Sequence, residues 1–391
     1  MNKRLRLTLG SAALVAALIT AGCSGGASPD DDGPAATPGD DTAAAETAAA
    51  QAVVDEATQP VAGFTAPGPA FDTSGIQGGT VYYVIPALEA AVFQTYAEEL
   101  EESFRPFDIG IQQCGTNGGS PDGIANCLQQ AVDSGASAVI ALGIPYVLSP
   151  TGFDKVGEAG IPVLYGLTGS DGEGEPERVA YFSPNFFELQ AWNAQWVIAD
   201  SGASANVLVI EETDNPAVQA WTLQGSMPAY ENGCSACVVK KITASTAQLD
   251  KLTTDVTAAL VANPDIAYVQ APAGAYVSAI IAGLQGAGKS PNEVNVGSMD
   301  MNLAELNQLQ QGQWLTNVGG TDFGASAWYM TDQVLRMLAG EPSLRGVEFP
   351  YQRLFTRDNT ADLESSEAAW KSGAWFGSTD YREGFTELWG R

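Results

Sequence analysis

The 391-residue sequence contains no histidine, and this absence excludes several kinds of chemistry. A serine or cysteine nucleophile activated by an imidazole base is excluded. A zinc site would need all four cysteines beyond Cys23, which form two pairs far apart in the sequence. We therefore predict no metal and no cofactor, and we expect the chain not to be an enzyme.

Positive charge is also scarce. Lysine and arginine total 17, against 46 aspartates and glutamates, so the net charge is −29. Such a chain repels phosphate backbones, because nucleic-acid binding needs basic surface. We therefore expect no nucleic-acid partner.

Long apolar runs are missing except at the N-terminus. Lys3, Arg4 and Arg6 precede the run 7–21, which has the layout of a secretory signal and is too short for a comfortable membrane span. The run ends in "ITAGC", which resembles a bacterial lipobox and implies a signal peptide over residues 1–22 and lipidation of Cys23. The alternative is an ordinary cleaved signal with an incidental cysteine. Residues 23–77 are rich in Ala, Gly, Pro, Thr and Asp, and we predict a disordered acidic tether there.

The four remaining cysteines are an even number, consistent with an oxidising exterior. Cys114 and Cys127 are close in sequence, and Cys234 and Cys237 form a C-x-x-C pair. A redox C-x-x-C normally opens a helix, whereas this one lies between a helix end and a strand. We predict two local disulfides, with a redox pair as the alternative.

Beyond residue 77, strand-like runs alternate with helical stripes, and this order predicts the fold class. The run from Thr80 to Ile85 precedes apolar residues at four-residue spacing, and the alternation continues to about Val318. Such alternation gives parallel sheets with helices on both faces. Ten such strands are too many for one compact domain. We predict an α/β protein with two doubly wound parallel-sheet lobes, whose strand ends line one interlobe cleft.

The stretch "GLQGAGKS", which begins at Gly283, fits the phosphate-loop pattern. A phosphate loop follows a strand and opens a helix. Here a helical stripe comes before the glycines, while Pro291 and a strand-like run follow them. We therefore interpret the stretch as a helix end that leads into a strand, not as a nucleotide site.

The order of several segments is informative: "GASAVIALG", "AGIPVLYG", "VANPDIAYVQA", "GAGKSPNEVNVGSMD" and "VLRMLAGE". This order resembles the type I periplasmic solute-binding proteins of sugar ABC importers, such as ribose- and galactose-binding proteins, and in particular actinobacterial lipoproteins. The resemblance covers about residues 78–358, and we expect the aromatic C-terminal extension 359–391 to pack on a lobe. It implies two lobes joined by a hinge: lobe 1 over 78–183 and 320–345, and lobe 2 over 184–319 and 346–358.

The resemblance also implies a function. A lipid-anchored receptor on the extracytoplasmic face of the cell membrane would enclose a small molecule, a sugar or sugar-like compound, and present it to an ABC transporter permease. The expected partners are this ligand, the permease and the membrane through Cys23, and the chain is expected to be a monomer. The alternatives are a ligand-binding sensor for a membrane signalling partner and a surface carbohydrate-active enzyme. The enzyme has little support, because adjacent Glu211 and Glu212 point to opposite sides of an extended chain and cannot act as a facing pair.

The candidate ligand-binding residues lie near the ends of predicted strands, where doubly wound sheets bind ligands. Sugar sites combine flat aromatic faces with planar polar groups. A packing role competes for Phe93, and helix capping competes for Asp300 and Asp322. The candidates are Phe93, Tyr146, Tyr165, Asn185, Glu212, Asp214, Trp221, Asp300 and Asp322.

Several polar groups that the resemblance leads one to expect are missing. Thr222 stands where sugar binders commonly have an arginine, Ala273-Gly274 replaces an Asn-Asp pair, and Gly319 replaces a glutamine. Asp300 matches the aspartate of the family. The departures leave room for a less polar, aromatic or cationic ligand.

Overall fold

The first lobe is built on a five-stranded parallel sheet. Its strands are β1 (Thr80–Ile85), β2 (Gly110–Gly115), β3 (Ala138–Leu142), β4 (Val163–Gly166) and β5 (Val179–Phe182). The computed structural model describes residues 38–168 and 174–391. The strand order in the sheet is β2-β1-β3-β4-β5. All of β3 is buried, because helices cover both faces of a parallel sheet.

The second lobe is built on a six-stranded sheet. Its strands are β6 (Asn206–Glu212), β7 (Val238–Ala244), β8 (Tyr268–Gln270), β9 (Asn295–Met299), β10 (Leu315–Thr321) and β11 (Gln352–Thr356). The order is β11-β10-β9-β8-β6-β7, and β11 runs antiparallel to β10 while the other pairs are parallel. The predicted two-lobed α/β architecture is confirmed, with β11 as the strand that the sequence pattern missed.

The helices cover the two sheets. They are α1 (Pro38–Ala57), α2 (Ala91–Phe104), α3 (Pro121–Ser134), α4 (Pro150–Glu158), α5 (Phe186–Asp200), α6 (Pro216–Trp221), α7 (Met227–Gly233), α8 (Leu249–Ala262), α9 (Val277–Gly286), α10 (Leu303–Gln310), α11 (Phe323–Leu338), α12 (Arg357–Thr360), α13 (Glu367–Ser372) and α14 (Tyr381–Leu388). In α3 the Ser120 hydroxyl accepts a hydrogen bond from the Gly123 amide, and Gly135 ends the helix at φ 67°. None of the helices within 38–168 and 174–391 is long and apolar enough to cross a membrane.

Three connections between the two sheets link one lobe to the other, in addition to the terminal segments. Residues 183–185 lead from β5 into α5, which packs on the second sheet. Asp322 leads from β10 into α11, which packs on α2 and β4 of the first lobe. The chain then returns to the second sheet as β11. The predicted boundary between residues 319 and 320 falls inside β10, because pairing with β11 carries that strand on to Thr321.

The predicted tether differs from the structure over its described part. Residues 1–37, with the predicted signal peptide and Cys23, lie outside the described residues. Residues 38–57 form helix α1, which packs on α5 and β11. Alanine is the best helix former, and Ala50, Val54 and Ala57 make a buried stripe at helical spacing. The prediction of disorder is therefore wrong for residues 38–57, because their helix propensity and their contacts with α5 and β11 outweigh their low hydrophobicity.

The C-terminal extension contributes to the cores of both lobes. Tyr381, Phe385 and Trp389 are buried in the first lobe's core, and Trp375 and Phe376 are buried in the second's. Between these two groups, residue 377 forms a parallel bridge with residue 61 of the N-terminal segment. The two terminal segments thus meet where each passes from one lobe to the other.

Both predicted disulfides are present. Cys114 in β2 is joined to Cys127 in α3, and Cys234 is joined to Cys237 just before β7. The structure also bears out the interpretation of "GLQGAGKS", since α9 ends within it and β9 follows. The Lys289 ammonium donates to the Pro264 carbonyl at 2.9 Å.

Candidate ligand-binding cleft

A cleft of about 940 Å³ lies between the lobes, at the carboxyl ends of strands from both sheets. This position follows from the topology, because parallel strands of a doubly wound sheet present their carboxyl ends at one edge. The first lobe contributes a mainly apolar wall, which includes Pro86, Gly118, Gly143, Pro145, Leu148 and Leu167. The second lobe contributes the larger polar and aromatic share, which includes Phe187, Glu212, Asp214, Asn215, Trp221 and Gln224.

Trp221 provides the flat aromatic surface of the cleft. It is the last residue of α6, a short helix that Asn215 caps by accepting hydrogen bonds from the amides of Ala217 and Val218. Its indole stacks on the Phe186 ring at 4.4 Å and 24°. The stacked ring holds the indole in a fixed orientation, as binding to the C–H face of a ligand requires. Trp221 also lines a smaller pocket of about 230 Å³ beside the hinge.

Glu211 and Glu212 face opposite sides, as the alternation of a strand requires. Glu211 accepts hydrogen bonds from Gln219 at 2.7 Å and from the Lys241 ammonium at 3.4 Å. Glu212 instead lines the cleft and is largely buried. Burial raises the pKa of Glu212 to about 7, the neighbouring Tyr276 hydroxyl lowers it, and Asp214 adds to the rise. The pair therefore offers the cleft one carboxyl group.

Asp214 lies two residues further along, on the exposed side of the cleft. One of its carboxylate oxygens accepts from the Ser245 hydroxyl at 2.6 Å, the Thr246 hydroxyl at 2.9 Å and the Thr246 amide at 3.1 Å. The bond from Ser245 is the main reason that the pKa of Asp214 is lowered. The bonds also connect the end of β6 to the loop after β7, so they hold this part of the second lobe's wall in place.

Asp300 lies behind the cleft wall at the end of β9. It has a left-handed backbone conformation, with φ 68°, and its carboxylate accepts from the Gly274 amide at 3.2 Å. Burial raises its pKa, and burial also raises the pKa of nearby Glu305 in α10 to about 7. Asp300 is absent from the described lining residues, so its side chain supports the wall from behind.

Two further candidates lie beside the cleft. Asn185 caps α5 by accepting from the Glu188 amide at 3.2 Å, and it lines the smaller pocket next to Trp221. Tyr146 lies between two lining residues, but its side chain is 42 % exposed and its hydroxyl donates to Asp154 at 2.9 Å. Both remain predictions as ligand contacts.

The placement of Phe93, Tyr165 and Asp322 differs from the prediction. Phe93 packs against the first lobe's core. This is the packing role that competed with ligand binding in the sequence analysis. Tyr165 is buried on the outer face of the first sheet, where it stacks on Tyr181 at 5.2 Å. Closeness to a strand end did not determine either direction: Phe93 lies in α2, whose inner face packs on the core, and in β4 alternate residues such as Tyr165 point to opposite faces.

Asp322 acts as a helix cap. Its carboxylate accepts from the Ala325 amide at 3.0 Å at the start of α11, and the C-terminal extension covers it at Gly373. Burial raises its pKa to about 6. Capping, the competing role that the sequence indicated, therefore describes the position of Asp322.

Several cleft residues escaped the sequence reasoning. Phe187 follows Phe186 in the first turn of α5, and Gln224 lies in the π-helical turn Thr222–Ser226. The doublet Phe186-Phe187 directly after a predicted strand end was an available signal. Gln224 gave no such signal, because a π-helical turn changes which residues of a helix face the cleft and no sequence pattern marks the turn.

The protein-family comparison matches residues 81–342 to a family described as "periplasmic binding protein domain". No curated protein matches the chain. Among solved structures, the fold is similar to a 5-methylthioribose transporter solute binding protein from Thermotoga lettingae, with a TM-score of 0.65 at 16% identity over 79% of this chain and 98% of that chain. It is also similar to a periplasmic ribose ABC transporter protein from Conexibacter woesei, with a TM-score of 0.64 at 14% identity over 75% of this chain and 97% of that chain.

A third similar structure, from Mycobacterium smegmatis, is a complex with β-D-fucofuranose and has a TM-score of 0.59 at 14% identity, over 80% of this chain and 98% of that chain. At these identities the solved structures establish the fold alone. The family match extends over more than half of the sequence and includes both sheets, apart from β11. The chain therefore belongs to the type I periplasmic binding proteins, a family of solute-binding proteins rather than enzymes.

Proposed function

We propose that this protein is the lipid-anchored, extracytoplasmic receptor of an ABC importer, and that it encloses a sugar or sugar-like molecule between its lobes. The observation that carries the proposal is the composition of the interlobe cleft. One wall holds the stacked indole of Trp221 and the carboxyl group of Glu212, and the opposing wall is apolar. An aromatic face with a few fixed polar groups suits a small molecule that has C–H faces and hydrogen-bonding edges.

The chain connections favour a closing movement. Three connections join the two sheets, both terminal segments also cross between the lobes, and the cleft opens at the strand ends. Rotation about such connections brings the apolar wall onto a ligand held by the second lobe. A permease that recognises the closed arrangement then distinguishes loaded from empty receptor.

The anchor is proposed from the sequence. Lipidation at Cys23 would place 14 residues, 24–37, between the membrane surface and the start of α1. Helix α1 packs on α5 and β11, so the membrane connection would reach the protein at the second lobe. Metabolic labelling with a fatty-acid analogue tests this part, with Cys23→Ser as the variant that should lose the label.

Thermal-shift titration with sugars, polyols and other small polar metabolites tests the binding function. A bound compound at about 100 times its Kd stabilises the folded state by about 2.7 kcal/mol, so Tm should rise. Trp221→Ala should abolish the shift measured against its own unliganded Tm, which the loss of stacking on Phe186 also lowers. Trp196→Ala changes a tryptophan outside the cleft lining and should keep the shift. A panel that gives no shift and no compaction in small-angle scattering would contradict the proposal.

A further inference from the structure

The charged side chains among the described cleft residues are all acidic. Among the described residues that line the cleft, Glu212 and Asp214 are acidic and none is lysine or arginine. An anionic ligand would lose its hydration without gaining a cationic partner, which is strongly unfavourable. The cleft composition therefore excludes phosphorylated and carboxylate-bearing compounds as good ligands.

The acidic character continues behind the lining. Glu212 ends β6, Asp300 follows β9, and Glu305 lies in the first turn of α10. Strand β8 lies between β6 and β9 in the sheet, so these carboxyl groups are gathered at one edge. Within the described parts of the chain, no lysine or arginine is within 4.0 Å of them.

A buried hydroxyl at the same edge lacks a partner. Tyr276, which follows β8, is fully buried, and its hydroxyl oxygen makes no hydrogen bond within the described residues. The hydroxyl lies beside the Glu212 carboxyl group and lowers its pKa as a hydrogen-bond donor does, although the pair falls outside the geometry of a formed hydrogen bond. One oxygen of Glu305, also largely buried, is unpartnered too. Buried polar groups without partners are rare in folded proteins and call for an explanation.

We propose that the ligand of this cleft carries an ammonium group, which binds against Glu212 while its carbon framework contacts Trp221. The inference rests on the proposed binding function and names its ligand class: an amino sugar, or another small organic amine with a hydroxylated or apolar body. An ammonium offers three N–H donors to the Glu212 carboxylate from the cleft side, and the Tyr276 hydroxyl lies on the buried side of that carboxylate. Its charge compensates the acidic edge when the lobes enclose it.

The alternatives fit less well. No group of three or more Asp, Glu or Cys in the described residues has an arrangement that would hold a metal ion. A neutral hydroxyl pairs with Glu212 but leaves the negative charge of the edge uncompensated in a site that closure removes from water. The indole face of Trp221 also favours a cation next to it.

Matched pairs of compounds that differ by an ammonium in place of a hydroxyl test the inference. D-glucosamine with D-glucose, D-galactosamine with D-galactose, and putrescine with butane-1,4-diol are titrated calorimetrically into the full chain at pH 7. We expect the amine to bind at least about tenfold more tightly than its alcohol in every pair that binds. Glu212→Gln should lower amine affinity roughly ten- to hundredfold, since a charge-assisted hydrogen bond is lost.

Glu211→Gln is the matched control, because it changes the adjacent carboxylate, which faces away from the cleft lining and pairs with Lys241. It should leave amine affinity unchanged, and Tm should show that both variants fold. Equal or tighter binding of the alcohols, or amine binding that Glu212→Gln does not weaken, would overturn the inference and leave the proposed function standing. If no compound binds and native mass spectrometry finds no small molecule on the purified protein, both the proposed function and this inference are overturned.

Discussion

The indole rings of Trp328 and Trp389 are stacked parallel, with centroids 5.6 Å apart and an interplanar angle of 2°. Trp328 belongs to α11 in the first lobe, and Trp389 follows α14 at the end of the C-terminal extension. Each indole N–H also donates to a buried carboxylate, Trp328 to Glu99 at 2.9 Å and Trp389 to Asp332 at 3.0 Å. The extension is therefore part of the first lobe's core, although the family match ends at residue 342.

Trp389→Ala should lower the free energy of unfolding by about 3–5 kcal/mol, the usual cost of truncating a buried tryptophan. The change removes the stacked ring and one hydrogen bond to Asp332. Urea denaturation followed by circular dichroism measures it. Val261→Ala, at a side chain that is 69% exposed, should change stability by less than about 0.5 kcal/mol. A similar small change for Trp389→Ala would mean that the extension does not fold against this lobe.

Gly377 should tolerate no side chain. Its φ is 125°, and a Cβ there would lie 2.4 Å from the Val61 carbonyl oxygen. Gly377→Ala should therefore break the bridge between the terminal segments and cost about 2–3 kcal/mol in the free energy of unfolding.

Gly390→Ala is the control for that substitution. Gly390 also has positive φ, 66°, but an added Cβ meets nothing within 4 Å. It should cost about 1–2 kcal/mol from the backbone conformation alone. If the two variants lose the same stability, the contact between the terminal segments is not formed.

The disulfide between Cys114 and Cys127 should stabilise the protein more than that between Cys234 and Cys237. The first has a sequence separation of 13 and the second a separation of 3, and cross-links that close longer loops restrict the unfolded chain more. Paired Cys-to-Ser replacement should cost about 3 kcal/mol for the first disulfide and about 2 kcal/mol for the second. Chemical denaturation of the two double variants gives this order, and the reverse order would contradict it.

Stability should fall as pH rises from about 4.5 to about 7 because of Glu305. Burial raises its pKa from 4.5 to about 7 in the folded protein. Between these two values the folded state holds a proton that the unfolded state has lost, so the free energy of unfolding decreases with rising pH. The Glu305→Gln variant cannot ionise at this position. Its free energy of unfolding relative to that of wild type should therefore be higher at pH 8 than at pH 5. The exposed Glu383→Gln is the matched control, and parallel pH curves for wild type and Glu305→Gln would contradict the prediction.

The sequence could predict the parts of this protein that depend on periodicity. Alternation identified both lobes, and the same alternation showed that Glu211 and Glu212 point to opposite sides. It could not decide which of them faces the cleft, because that depends on how the second sheet is covered. Tyr165 shows the same limit, since its position at a strand end fits the cleft and the outer face equally well.

The terminal segments were harder to predict for a different reason. Helix α1 has the small, polar composition of a flexible tether, and its few apolar groups suffice because α5 and β11 provide a surface for them. Asp322 could serve as a ligand contact or as a helix cap in the sequence. The C-terminal extension covers it in the structure, and no local pattern indicates that long-range contact.

The most direct test of the central claim is the distance between the two walls of the cleft with and without ligand. Spin labels at Val147→Cys in the first lobe and Ala247→Cys in the second, both at exposed positions, report this distance by electron–electron double resonance. A compound that stabilises the protein in the thermal-shift panel should shorten the distance and narrow its distribution. Trp221→Ala should remove the effect. An unchanged distance in the presence of a compound that still raises Tm would contradict capture between the lobes.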